Sequence, residues 1–319
     1  MEQAFPFLFQ PRWRMKMGLQ PLDLQEWIDI DDTFDFYLQR KSELLQQRYS
    51  DVFGSLPGSE PAQQEVLELL LDYLPQRFPQ QYQRQGAQIQ IVSTGQVWDL
   101  NTSVTPPLEL AARLIQEDLC LMQPGTDGYS LTAGCVCFPS HWRLTEKLGL
   151  PIAQIHAPVP SYAETLKHPV NGLFDRLKSE HPGYRTNWAI VNTPELFLGD
   201  QTVGQSQGQS QGQSQQNSNQ SEEQSNNSEI TVENAGEKLW IRVERQTLRR
   251  LPKTRSILFT IRTYRYPLST VKQDAEAAHN LATLVQQMPA AMLSYKNLLS
   301  KQETILAYLQ QVKLSSHEI

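Results

Sequence analysis

The residues through which this chain could act chemically are six histidines, three cysteines and a set of alternating Arg, Asn and Glu positions. His156 differs from the other imidazoles. Ile155, Pro158, Val159 and Pro160 surround it with apolar, stiff backbone that fixes the ring and excludes water. On composition alone this is first a core histidine hydrogen-bonded to backbone, and second a metal ligand. His141 follows Phe138-Pro139-Ser140 and precedes Trp142, a setting in which it can cap a helix. His168 and His181 each precede a proline in polar surroundings and read as surface residues; His279 and His317 fall in the C-terminal helical region.

Charged side chains at alternate positions point to one side of a strand. Arg185 and Asn187 are so spaced, and together suit a carboxylate or a bound oxygen species; an arginine paired with Glu or Asp at a sheet rim is the equal alternative. Arg242, Glu244 and Gln246 likewise share a face. Glu244 can hold an ammonium group there, and Arg262 lies on the face opposite Phe259 and Ile261. Ion pairing within the fold explains these charges as well as catalysis does. Cys135 and Cys137 lie two apart, but no second Cys/His pair with zinc spacing accompanies them, so small buried core residues are the stronger reading.

Several familiar devices are missing: there is no GxGxxG, Walker loop, HExxH, GxSxG or iron–sulfur cysteine set. The chain thus carries no recognisable equipment for nicotinamide or ATP, and electrons for any redox step must arrive from elsewhere. The net charge is −6 with signs interspersed, which leaves no basic face for nucleic acid or anionic lipid. Three cysteines without framework spacing fit a reducing compartment. The apolar patch Ala4 to Phe9 precedes Arg12, Arg14 and Lys16, the wrong order for a signal peptide, and no apolar run approaches the roughly 20 residues of a membrane span. A cytoplasmic protein is expected.

The elements that must position these residues follow from periodicity. The first 30 residues, rich in aromatics and prolines, read as an arm laid on the core. Helical stripes cover 34–49 and 61–74. From residue 88 short strands take over, at 89–92, 97–100, 119–122, 129–138, 187–191, 239–243 and 257–264, with a short helix at 108–115. Residues 141–181 read as mainly helical, and the last 50 as two helices broken at Pro289. Between 203 and 228 the chain is almost wholly Gly, Gln, Ser, Asn and Glu, with GQSQ repeated from Gly204, Gly208 and Gly212. Such a tract cannot bury enough apolar surface to offset its ordering entropy and is expected to be disordered. The strands on either side of it are expected to share one sheet.

In order along the chain stand RMKMGLQPLD, QEDLCLM, LTAGCVCFPSHW, EKLG, IHAPVPSY, RTNW, VERQTLRRLP and FTIRTY. Taken together these strings resemble the haem-dependent oxidative N-demethylase family (DUF3445-type), over nearly the whole chain from about Met15 to about Tyr295. The polar tract interrupts the pattern as an insertion. The resemblance implies a single domain over 1–319 of class α+β: a PAS-like curved antiparallel sheet of about five strands within 88–265, covering helices, additional N-terminal helices and a C-terminal helical hairpin over 268–310.

It also implies haem b, with His156 as the iron's proximal ligand and His141 and Arg185 available to the propionates. Arg185, Asn187 and Glu244 become candidate catalytic residues. The implied reaction is oxidative N-demethylation of a small methylated amine by O2, giving formaldehyde, with electrons from a separate flavin and iron–sulfur reductase subunit. The alternative function is a haem-binding gas or redox sensor.

Overall fold

The computed structural model describes Trp13 and residues 18–165, 167–199 and 229–315. The tract 203–228, expected to be disordered, lies outside the described residues, as does His317.

Ten strands form two sheets: β1 (Gln20–Pro21), β2 (Phe53–Ser55), β3 (Tyr82–Gln85), β4 (Gln88–Ile91), β5 (Val97–Asp99), β6 (Asp118–Gly125), β7 (Gly128–Cys135), β8 (Gly183–Val191), β9 (Trp240–Arg250) and β10 (Ile257–Pro267). The main sheet runs β1-β8-β9-β10-β6-β7-β2 with antiparallel neighbours throughout. Strands β3-β4-β5 form a separate three-stranded sheet. Mixed helix and antiparallel sheet is the α+β class expected. The hairpin predicted near 89–100 exists but does not join the main sheet, because Tyr82–Gln85 pairs with it instead. The main sheet has five strands of eight or more residues, with the two- and three-residue strands β1 and β2 at its edges.

Turn chemistry sets these pairings. Strands β6 and β7 are joined through Thr126-Asp127, and Gly128 takes φ 99°, a backbone conformation that suits glycine. Strand β8 ends at Val191, whose partner Trp240 opens β9. The strands that flank the polar insertion are therefore neighbours in one sheet, as the sequence suggested. Added length there costs only the slowly growing entropy of loop closure.

Helices α1 (Phe34–Gln47), α2 (Tyr49–Val52), α3 (Glu60–Arg77) and α4 (Pro107–Arg113) pack with Leu119, Leu121, Ala133 and Leu258 in one core. The N-terminal arm contributes Leu22, Trp27 and Ile28 to it. A second core is covered by four short helices: α5 (Leu144–Lys147), α6 (Ile152–Ile155), α7 (Tyr162–Thr165) and α8 (Lys167–Arg176). It joins Phe174 and Leu177 to Cys120, Met122, Leu248 and Ile257.

After α9 (Ala235–Lys238), helices α10 (Ala275–Gln287), α11 (Ala290–Tyr295) and α12 (Gln302–Ser315) pack on Trp188, Ile241 and Val243. Asp274 caps α10 by accepting from Ala277 N at 3.0 Å, and Pro289 breaks the unit as predicted, with α11 as a short third helix. Leu281, Val285, Leu298 and Ile305 are fully enclosed, each contributing about 1.5–3 kcal/mol. The C-terminal unit is thus fixed on the sheet. Because the sheet alternates, helices cover both of its faces.

Candidate functional site

Pro151 starts α6, and Pro158 and Pro160 stop the chain from continuing it. His156 sits at its C-cap, where its Nδ1 lies 3.0 Å from the Ile152 carbonyl oxygen. A carbonyl only accepts, so Nδ1 carries the proton and Nε2 keeps its lone pair. The ring stacks on Tyr162, with centroids 5.1 Å apart and planes 14° from parallel. Burial holds the imidazole below its ordinary pKa; the Ile152 hydrogen bond opposes this, while the positive charges of Arg185 and Lys147 add to it. The result is a neutral, oriented imidazole with one free nitrogen.

Beside it stands a polar row built by register. Asn187 pairs with Glu244 across β8 and β9, and Arg185 with Gln246, so the two alternating sets meet on one face of the sheet. The Glu244 carboxylate accepts from Ser140 Oγ at 2.6 Å, Gln246 Nε2 at 2.9 Å and Asn187 Nδ2 at 3.4 Å. Ser140 in turn accepts from Arg242 Nε at 2.7 Å. Arg242 is buried and spends its remaining donors on the carbonyls of Phe138, Glu195 and Leu196. It is a scaffold that fixes Glu244 through Ser140.

The Phe138 end of that scaffold is fixed too: the Asp118 carboxylate accepts from the amides of Cys137 and Phe138 at 2.9 and 2.7 Å, and lies 3.7 Å from the buried Lys41 ammonium.

Arg185 interacts electrostatically with both the imidazole and the Glu244 carboxylate. Burial lowers its pKa, and the charge of Glu244 and the Tyr162 hydroxyl offset part of that. Its Nε, and the Tyr162 hydroxyl, are buried without a hydrogen-bond partner. Native proteins rarely leave such groups unmet, and here both belong to residues that neighbour one imidazole.

Lys296, in the turn after α11, also reaches this row. Among the described residues strand β1 pairs β8 only at Gly183 and Tyr184, which leaves the Trp188 end of the β8 edge without a described strand partner. The Lys296 ammonium occupies it, donating to Asn187 Oδ1 at 3.2 Å and to the Trp188 carbonyl. With Oδ1 held by an ammonium, the Asn187 amide must turn Nδ2 towards Glu244. Burial pulls the Lys296 pKa down to about 8, Glu244 opposing and Arg185 assisting.

The structure thus brings His156, Arg185, Asn187 and Glu244 together. Of the other histidines, His141 adopts φ 61° directly after Ser140, a left-handed conformation uncommon for a non-glycine residue. His181 and His279 are exposed, as expected for His181. Arg262 does not join the site; it pairs with Asp31 at 2.7 Å beneath the N-terminal arm. All three cysteines are buried and free of disulfides, consistent with core residues. Among the described residues no three His, Cys, Asp or Glu converge on one point, and no helix is long and apolar enough to cross a membrane. Sequence reasoning passed over Lys296, Tyr162 and Ser140. Tyr162 and Ser140 stand inside the strings IHAPVPSY and FPSHW, but Lys296 has no local signal.

Comparison with protein families matches residues 18–306 to the family described as haem-dependent oxidative N-demethylase, alpha subunit-like.

Proposed function

The chain belongs to the haem-dependent oxidative N-demethylase, alpha subunit-like family, and on that premise we propose that it is a haem enzyme removing an N-methyl group from a small methylated amine. The observation that carries this reading is the state of His156: Nδ1 donates to Ile152, which leaves Nε2 free beside two unpartnered buried polar atoms. These residues fit a haem. A haem iron brings four ring nitrogens of its own and asks the protein for an oriented imidazole, which His156 can supply.

In a PAS-like arrangement the group would lie between the sheet and the helices α6 to α8, His156 would hold its iron, and Arg185 and His141 would meet its propionates. When bound, haem supplies a redox-active iron at which dioxygen is reduced.

Overall, one N–CH3 carbon is oxidised to a hydroxymethyl group that breaks down to formaldehyde and the demethylated amine. One oxygen atom enters the product and the other leaves as water. Two electrons and two protons complete the balance, and the electrons come from a separate reductase subunit, which the alpha-subunit description supports.

The chain's own contribution is orientation and electrostatics. Glu244 holds the substrate's ammonium, and Asn187 and Gln246 keep the carboxylate aimed. Arg185 stabilises negative charge that develops nearby, in a setting where burial strengthens the interaction. Lys296 locks the Asn187 amide and sets the charge of the row. Tyr162 stacks on the imidazole and screens it from water. Cytoplasmic operation fits the unpaired cysteines.

The experiment is a panel of methylated amines, assayed for formaldehyde with haem-loaded protein, O2 and a competent electron donor. Release that requires both donor and amine supports the proposal. If no amine turns over while O2 or CO binds reversibly, the site belongs to a sensor.

A further inference from the structure

A second polar feature lies on the other side of the sheet. Arg249 projects from the face of β9 opposite to Glu244, since an odd number of residues separates their parity. Its guanidinium carbon lies over the Trp27 indole, 4.4 Å from the ring centre, and Trp27 is fully buried. The ring is held in turn by Tyr73, edge-on at 5.2 Å.

Yet Arg249 has no hydrogen bond or ion pair among the described residues, and its Nε is buried without a partner. The nearby acids are committed elsewhere. Both oxygens of Glu65 accept from the Lys253-Thr254 turn, at 2.6 to 2.8 Å, and Asp72 pairs with Arg84 at 2.7 Å. Burial lowers the Arg249 pKa, which Tyr73 and Glu65 only partly counter. Arg249 is half-buried, and an enclosed guanidinium nitrogen without an acceptor is costly unless something supplies one.

The space for it is present. A cavity of about 190 Å³ opens beside Arg249, lined also by Leu24, Leu69, Asp72, Tyr73 and Gln76. At about 30 Å³ per water this holds roughly six water-sized volumes. Leu24, Leu69 and the Tyr73 ring offer apolar wall, and the guanidinium offers a planar fork that matches a carboxylate.

We propose that this cavity is a binding site for a small monocarboxylate with a short apolar body, its carboxylate on Arg249 and its body against Leu24, Leu69 and Tyr73. The inference is independent of the demethylase reading, because the cavity and the His156 row lie on opposite faces of the sheet.

Calorimetric titration of haem-loaded, full-length protein tests it, with propionate, butyrate and benzoate compared against butyramide, inorganic phosphate and chloride at equal ionic strength. We expect one saturable site for a carboxylate, none for the amide, and no movement of the Soret band. Arg249→Met, which keeps the stem over Trp27, should weaken binding about tenfold or more, the loss of a charge-assisted hydrogen-bond pair. Gln76→Glu sets a like charge on an exposed helix position at the cavity wall, so it should weaken carboxylate binding without altering the fold, even if Arg249→Met proves unstable. No saturable carboxylate binding, equal binding of the amide or of phosphate, or affinity unchanged in Gln76→Glu would overturn the proposal.

Discussion

The Lys296 ammonium lies 3.2 Å from Asn187 Oδ1, joining residues 109 apart in sequence and fixing which way the Asn187 amide faces. Through that one contact the C-terminal helices, which carry no histidine or carboxylate of the site, orient one of the three donors to Glu244. The native and unfolded states of Lys296 also differ in proton affinity, the folded pKa of about 8 lying below the ordinary lysine value of 10.5.

A pH dependence of stability follows. Between about pH 8 and 10.5 the unfolded chain holds a proton at Lys296 that the folded chain has released, and stability rises with pH wherever the unfolded state binds more protons. Below that window the full penalty of the buried charge is present. The urea midpoint of the wild type, measured relative to that of Lys296→Met, should therefore rise between about pH 7 and 9.5. A difference between the two proteins that is flat over this range would mean Lys296 titrates as an ordinary exposed lysine.

His156→Ala should abolish or shift the Soret band of protein purified under adequate haem supply, because it removes the imidazole whose Nδ1 is committed to Ile152. Exposed His181 and His279 serve as controls, and their alanine variants should keep full haem content by pyridine haemochrome assay. An unshifted band in the His156 variant would remove it as the ligand.

Glu244→Gln and Arg185→Ala should separate binding from rate. Glu244 carries three hydrogen bonds that the amide can partly reproduce, but not the charge. Its loss should raise KM for the amine about tenfold or more while haem content stays level. Arg185→Ala should lower turnover by about a hundredfold, the scale seen when one stabilising donor is lost. If haem content and turnover fall together in the Arg185 variant, its role is to anchor a propionate.

Gly236→Ala tests the docking of the C-terminal unit without touching the site. The Tyr308 hydroxyl from α12 occupies the space that a β-carbon at 236 needs, and Tyr308 is almost wholly buried. Overpacking of this kind costs about 1–3 kcal/mol. A melting temperature lower by roughly 2–4 °C per kcal/mol is expected. An unchanged melting temperature would show that α12 shifts freely on the sheet.

Much of the site is legible in the chain before it folds. A strand has a side-chain period of two, so Arg185 and Asn187, and separately Arg242, Glu244 and Gln246, must each share a face whatever the fold. The apolar, proline-rich setting of His156 already predicts an immobile imidazole shielded from water. The interspersed charges likewise lead to the expectation of no basic nucleic-acid surface.

What the sequence left open is everything that depends on pairing between distant segments. Whether the two polar rows meet rests on the register Asn187 to Glu244, which local residues do not encode, since a shift by one residue would send one row to the other face. The hairpin near 89–100 was readable, but its exclusion from the main sheet was not, because its partner Tyr82–Gln85 is short and polar and has no strand pattern. Arg242 could be read equally as an ion-pair partner or a catalytic group. Only packing showed that its donors go to backbone carbonyls and Ser140. Lys296 reaches the site because apolar contacts seat α10, α11 and α12 on Ile241 and Val243. Burial and long-range contact are properties of the packed chain, so the position that sets the proton affinity of Lys296 came from the tertiary structure alone.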